Sequence, residues 1–336
     1  MPTTPSLEST QPLDSVLKSR DCALDSVCAA GSMVADSMIE TLIRDLHTNK
    51  PFLSLEVTPP LAGALKGSKE IESLCALSRE IPINALVCTD SPLARFKPSS
   101  ILSSIKIQNL TQKPLICTLS MRDRNSIALC GDILAANEFD LRAFLCLTGD
   151  PIKLGDCAQT KGVFEENSLG LVRIISELNA GRAINGKPLQ TPAKPIYSFQ
   201  VINSYANNLQ SLKTKMRKKI AQGGVQALFT QPVYSIEVAE FLCESLEELN
   251  AEYGTHTTLI FGFFPVVSYK VALFLRDKLP GVFIPESWIA RLEAARDREY
   301  KVGVELSSKL LAELRGLHDK IHFMSANKLE LVREFY

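Results

Sequence analysis

The sequence predicts an α/β chain folded as a (βα)8 TIM barrel with a short N-terminal extension, and three observations carry that expectation. Short apolar, β-branched runs alternate with longer helical patterns along the chain, the signature of parallel strands joined by helical crossovers. Eight such runs occur, which favours closure over an open sheet. The first run is not followed by Gly-x-Gly-x-x-Gly, so a dinucleotide-binding open sheet has little support.

Taken in order, residues 1–34 are rich in Ser, Thr, Pro and Asp with little periodicity, and a mobile extension is expected there. The rest, 35–336, is expected to be one barrel domain. Met38, Leu42, Ile43 and Leu46 recur at helical spacing within Val34–His47 and predict a helix leading into the first strand. Strands are predicted at Phe52–Val57, Ala85–Thr89, Pro114–Ser120, Arg142–Thr148, Pro195–Ile202, Ala227–Gln231, Thr258–Phe264 and Ile321–Met324. Between them, helices are predicted at Lys69–Arg79, Ser126–Asn137, Leu169–Asn179, Leu209–Gln222, Ile236–Glu252 and Ser268–Lys278, with late helices over Glu286–Ala295 and Asp297–Arg315. Pro151–Asn167 and Gly181–Pro195 read as long loops.

Composition narrows the function. The 37 basic and 37 acidic residues cancel, which weighs against a nucleic-acid partner. Nine cysteines occur with no C-x-x-C pair, and several sit inside apolar runs, as Cys88, Cys117 and Cys146 do. They read as small core residues of a reducing compartment. No apolar run has the length of a membrane span, and the N-terminus has no secretory pattern, so no membrane partner and a cytoplasmic location are expected.

In a barrel of this kind, chemistry sits at the C-terminal ends of the strands. Those ends here carry Glu56, Thr89-Asp90, Ser120 through Asn125, Thr148-Gly149-Asp150, Asn203, Thr230-Gln231 and Ser325 through Lys328. Such convergence of hydrogen-bonding groups on one rim favours an enzyme. Glu56 follows Phe52-Leu53-Ser54-Leu55, and a carboxyl held against apolar neighbours resists ionisation, as general-acid work requires. The plainer reading is a Glu that caps a loop or pairs with a base. Asp150 is either a site residue or an ordinary turn Asp after Gly149. Gln231 offers an amide that donates and accepts, as a heterocycle edge requires, or is a buried Gln tied to backbone. Lys213, Lys215, Arg217, Lys218 and Lys219 form either a solvated helix face or a pyrophosphate site.

The strand ends, in this order, resemble those of 5,10-methylenetetrahydrofolate reductase. The matching runs include Leu55-Glu56-Val57-Thr58-Pro59-Pro60, Thr89, Met121-Arg122-Asp123-Arg124-Asn125 and Leu147-Thr148-Gly149-Asp150-Pro151. Thr230-Gln231-Pro232-Val233-Tyr234, Phe264-Pro265-Val266 and Pro280 through Pro285 also match, and the likeness spans about residues 50–330. The Leu-Thr-Gly-Asp-Pro form is similar to a bacterial branch of that family.

The resemblance implies a flavin-bearing barrel that reduces 5,10-methylenetetrahydrofolate to 5-methyltetrahydrofolate, with FAD or FMN as cofactor and NADH or NADPH as donor. Glu56 falls on the family's catalytic acid, Asp150 on an Asp near flavin and pterin, and Gln231 on a folate-contacting Gln. Thr89, Ser120, Asn203 and Lys219 fall on cofactor-binding positions, with Lys218 replacing Lys219 if the register slips by one. A folate substrate and a homo-oligomer are expected. Four departures are changes of residue. Thr118 replaces a His beside the flavin, and Asn203-Ser204 replaces Asn-Pro. Other members carry an Arg at Thr148 and, near Leu275, an aromatic that stacks on nicotinamide. The last two leave NADH, NADPH and a protein donor open. The segment Gln222-Gly223-Gly224-Val225 is one residue longer than usual. Two further readings keep the barrel: a flavin-free pterin-binding methyltransferase, and a degenerate regulatory subunit.

Overall fold

The computed structural model describes residues 37–59, 69–279 and 281–336. The expected extension at 1–34, with Cys22 and Cys28, and the motif residues Pro60 and Pro280 lie outside the described residues. Eight parallel strands close in sequence order into one barrel. They are β1 Phe52–Val57, β2 Ala85–Cys88, β3 Leu115–Ser120, β4 Ala143–Leu147, β5 Tyr197–Ile202, β6 Val225–Pro232, β7 Thr258–Phe263 and β8 Lys320–Phe323. Closure pairs β1 with β8, Phe52 beside Lys320 and Leu55 beside Phe323.

Period-two alternation explains why this sheet closes around a packed interior. One set of alternate residues, Phe52, Ala85, Val87, Ile116, Ala143, Leu145, Phe199, Ala227, Phe229 and Ile260, forms one buried cluster. The other set, including Leu55, Leu86, Cys88, Leu115, Cys117, Phe144, Cys146, Leu228, Phe261 and Phe323, packs against the surrounding helices. Cys88, Cys117 and Cys146 are buried free thiols that fill space in the second cluster.

The helices are α1 Met38–Leu46, α2 Lys69–Glu80, α3 Ser100–Thr111, α4 Ser126–Glu138, α5 Ser168–Asn179 and α6 Leu209–Ile220. They continue with α7 Ile236–Tyr253, α8 Tyr269–Lys278, α9 Glu286–Ala295, α10 Glu299–Leu317 and the single turn α11 Glu330–Arg333. Helix α1 places Ile39, Leu42 and Leu46 in the inner cluster, so it stoppers the N-terminal end of the barrel. Helix α3 has no predicted counterpart. Its buried positions include Ser100, Ser104 and Gln108 beside Ile101 and Ile107, so no clean apolar stripe marks it. The Ser99 side chain caps it by accepting the Leu102 N–H.

The turn before β6 is built on two glycines. Gly223 and Gly224 both take left-handed φ, +74° and +72°. The β5–β6 register then slips, pairing Ser198 with Val225 but Phe199 with Ala227. Gln226 is left as the bulged residue, and its Oε1 lies 3.1 Å from His47 Nε2 just beyond α1. Among the described residues, no helix is long and apolar enough to cross a membrane, and no group of three or more His, Cys, Asp or Glu side chains is placed to hold a metal ion.

Candidate catalytic site

A cavity of about 290 Å³ opens at the C-terminal ends of the strands. Five of the seven residues singled out by sequence line it: Glu56, Thr89, Ser120, Asp150 and Gln231. Apolar residues of the inner cluster, including Leu145, Val201 and Phe229, line the same cavity.

Glu56, next to last in β1, lies two residues above Ser54 on the inward face, partly open to the cavity. It makes no hydrogen bond or ion pair among the described residues, and desolvation alone pushes its carboxyl up to about 7. Ser54 Oγ lies 3.0 Å from Nδ1 of His322 on the neighbouring strand. Burial lowers the His322 imidazole to about 3, so it is neutral at physiological pH and places no cation beside the acid. Phe229 packs edge-on against its ring at 5.1 Å.

The opposite wall is densely bonded. Asp90, just past β2, has a side chain only 4% exposed and accepts four hydrogen bonds. Its Oδ2 takes the Ser120 N–H at 3.1 Å, the Ser120 hydroxyl at 3.0 Å and an Arg124 N–H at 3.1 Å. Its Oδ1 takes the Ser100 hydroxyl at 3.4 Å. Arg122, also buried, donates to the Ser91 carbonyl at 3.1 Å and forks onto Asp123.

Asp150 is carried by the turn after β4. Gly149 has φ +98°, and a Cβ there would come within 2.6 Å of Arg122 Cβ, so the tight approach needs glycine twice over. Asp150 Oδ2 accepts the Leu93 N–H at 2.7 Å, which ties the loops after β2 and β4 together. Thr89 donates to Thr58 Oγ1 at 3.2 Å. Gln231 sits where the β6–β7 register shifts between Phe229 and Pro232. Its amide has no partner among the described side chains and lines the cavity. Gly262 permits that irregularity, since a Cβ there would collide with the Thr230 carbonyl.

Two of the seven residues stand elsewhere. Lys219 does not line the cavity. It lies on α6 against the outer face of β5, donating to Gln200 Oε1 at 2.5 Å and Ser168 Oγ at 3.3 Å, and burial lowers its ammonium to about 8. Its neighbour Lys218 is exposed on the same helix. Asn203 is turned toward the α8–α9 connection, where its amide fills the space a Gly281 side chain would occupy. Thr148 likewise faces a helix, its hydroxyl capping α5 through the Ser168 N–H at 3.1 Å.

Sequence reasoning gave no role to three lining groups. Asp90 was visible beside Thr89, but its partners come from β3, α3 and the loop between β3 and α4. His322 sits within a predicted strand and carried no signal of its own. Leu275 is 1% exposed, whereas Phe274 before it is 42% exposed and lines the cavity. Phe274, adjacent to Leu275, therefore gives this part of the rim an aromatic, and Phe264 lines the same cavity.

No curated protein matches the sequence. Among solved structures, similarity is found to an uncharacterised protein from Clostridium thermocellum that binds two copies of 5-methyl-5,6,7,8-tetrahydrofolic acid, with TM-score 0.58, 16% identity and coverage of 89% of this chain and 96% of that one. DmoA from Hyphomicrobium sulfonivorans gives TM-score 0.54 at 10% identity, covering 86% of each chain. EDTA monooxygenase (EmoA) from Chelativorans sp. BNC1 gives 0.51 at 12% identity, covering 85% of this chain and 92% of that one. At such identities these likenesses establish the barrel fold. The family described as Methylenetetrahydrofolate reductase matches residues 41–336, so the chain belongs to the methylenetetrahydrofolate reductase family.

Proposed function

We propose that this protein catalyses flavin-dependent reduction of 5,10-methylenetetrahydrofolate to 5-methyltetrahydrofolate, with Glu56 as the general acid. The observation that carries the reading is a carboxyl without hydrogen-bond or ion-pair partners among the described residues, opening into the rim cavity and holding its proton up to about pH 7. The imidazolidine ring of the substrate opens only if N10 departs as an amine, and that departure needs a proton. Glu56 supplies it. A nearby cation would have lowered the carboxyl and spent that proton, and the neutral His322 avoids this.

Gln231 and Asp150 are assigned to the pterin. An amide pairs with a lactam edge through one donor and one acceptor, and the Asp150 oxygen not held by Leu93 accepts from a ring N–H or amino group. The wall also suits a flavin ring: Leu145, Leu147 and Val201 offer apolar surface, and Thr89, Ser120 and Asp150 offer oxygens. A flavin held there would supply the hydride needed at the methylene carbon. FAD is the preferred cofactor, with FMN the alternative. Lys219 and Asn203 stand outside the assignment because neither lines the cavity. Phe274 gives the rim an exposed aromatic face suited to a nicotinamide donor, NADH or NADPH.

The test is anaerobic. The purified protein is reduced with NADH and with NADPH in parallel, then mixed with methylenetetrahydrofolate while flavin absorbance is followed. Reoxidation with formation of 5-methyltetrahydrofolate supports the reading. A colourless protein that binds folate moves it to the flavin-free methyltransferase.

A further inference from the structure

Asp90 lines the same cavity yet has no part in the acid chemistry. Its partners are unusual in one respect: both hydrogen-bonding hydrogens of a single residue, the Ser120 N–H and the Ser120 O–H, end on one carboxylate oxygen. A carboxylate paired with a guanidinium is an acceptor only, as the Arg124 contact at 3.1 Å makes this one. The hydroxyl hydrogen of Ser120 is therefore committed away from the cavity, and what Oγ presents to a ligand is lone pairs.

We propose that Asp90 is a positioning residue that locks the Ser120 hydroxyl as a pure acceptor, so that this stretch of wall selects a ring N–H and rejects a ring carbonyl. The inference rests on the flavin reading above for the identity of the ligand. An oxidised flavin has a single ring N–H, at N3, flanked by two carbonyls. A serine free to rotate would accept from that N–H or donate to either carbonyl. A serine fastened to Asp90 recognises only the first, and so fixes which edge of the ring it meets. Ser100 and Arg124 hold the carboxylate itself in place from the α3 and α4 sides. The preference is built into the fold before any ligand arrives.

The experiment is a double-mutant cycle on FAD affinity, measured by fluorescence titration of the full-length chain stripped of flavin. Asp90→Asn leaves one neutral acceptor oxygen in place of two charged ones, which loosens the hold on the Ser120 hydroxyl. Alone it should weaken FAD binding about tenfold, and Ser120→Ala should do the same. In the Ser120→Ala background, Asp90→Asn should change the dissociation constant by less than about twofold, because the residue it acts through is gone. Thermal unfolding of all four proteins reads the structural contribution separately, and Asp90→Asn should lower the midpoint in both backgrounds. Equal weakening of FAD binding by Asp90→Asn in both backgrounds overturns the proposal, as does unchanged affinity in a folded Asp90→Asn protein. If Asp90→Asn does not fold, FAD methylated at N3 replaces it. The methyl group should cost about tenfold in the wild-type chain and under about twofold in Ser120→Ala, and an equal penalty in both overturns the proposal. A wild-type chain that binds no FAD defeats the flavin reading instead. The same cycle is then read with 5-methyltetrahydrofolate, whose pterin also carries N–H donors, under the same criterion of equal or unequal penalties.

Discussion

Glu56 and Asp90 reach one cavity from adjacent strands and are treated in opposite ways. Glu56 has no partner among the described residues and is pushed up to about 7 by desolvation, while Asp90 accepts from Arg124, from Ser100 and twice from Ser120. The difference teaches what each carboxyl is suited to. One left without partners keeps a proton it can give away, and one saturated with donors holds its neighbours still.

The largest expected effect tests the acid side. Glu56→Gln keeps shape and removes the proton, so methylenetetrahydrofolate reduction should fall by about 10²–10⁴-fold, while flavin reduction by the nicotinamide stays near the wild-type rate. Stopped-flow measurement of each half-reaction separates them. A folate half-reaction near wild type removes Glu56 from the mechanism.

Next is the stopper of the barrel, a control that touches neither carboxyl. Leu46→Ala empties a fully buried position beneath the inner cluster and should destabilise the protein by about 2–5 kcal/mol, read by denaturant unfolding.

The pH dependence sharpens the contrast further. Glu56 must be protonated to act, so the folate half-reaction should hold below about pH 7 and fall about tenfold per unit above it. Stability follows the same proton. The folded-state value lies above the unfolded one of 4.5, so the folded chain binds the extra proton between 4.5 and about 7. Stability from this group is present below 4.5 and is lost as pH rises toward 7. Glu56→Gln should therefore gain stability relative to wild type across that window, and equal pH slopes for the two proteins would count against the shift.

The smallest effect is expected at Lys219. Its ammonium serves Gln200 and Ser168 on the outer side of the wall, so Lys219→Met should change FAD affinity by less than about twofold, within what a contact outside the cavity can transmit. Titration checks it, and a larger loss would return Lys219 to the cofactor.

How far the sequence could be read follows from what each residue depends on. The strands were legible because their apolar runs are local, and Glu56 was legible because it stands in one of those runs, although the cavity residues around it come from other strands. Helix α3 was not, since its buried face carries Ser100, Ser104 and Gln108, whose place is set by the strands they pack on. Phe274 and Leu275 differ by one residue, but on a helix that is a turn of about 100°, enough to exchange the core for the cavity rim. The role of Asp90 depends on a hydroxyl thirty residues away, a relation that spacing does not reveal.

The seal that α1 makes beneath the inner cluster has a consequence for turnover. With that end closed, a folate seated at the mouth would stand between Glu56 and bulk water. The acid would then carry a single charge of protons per visit, like a one-shot valve, and refill after the product leaves. Solvent isotope effects should accordingly fall on the recovery between turnovers as well as on ring opening.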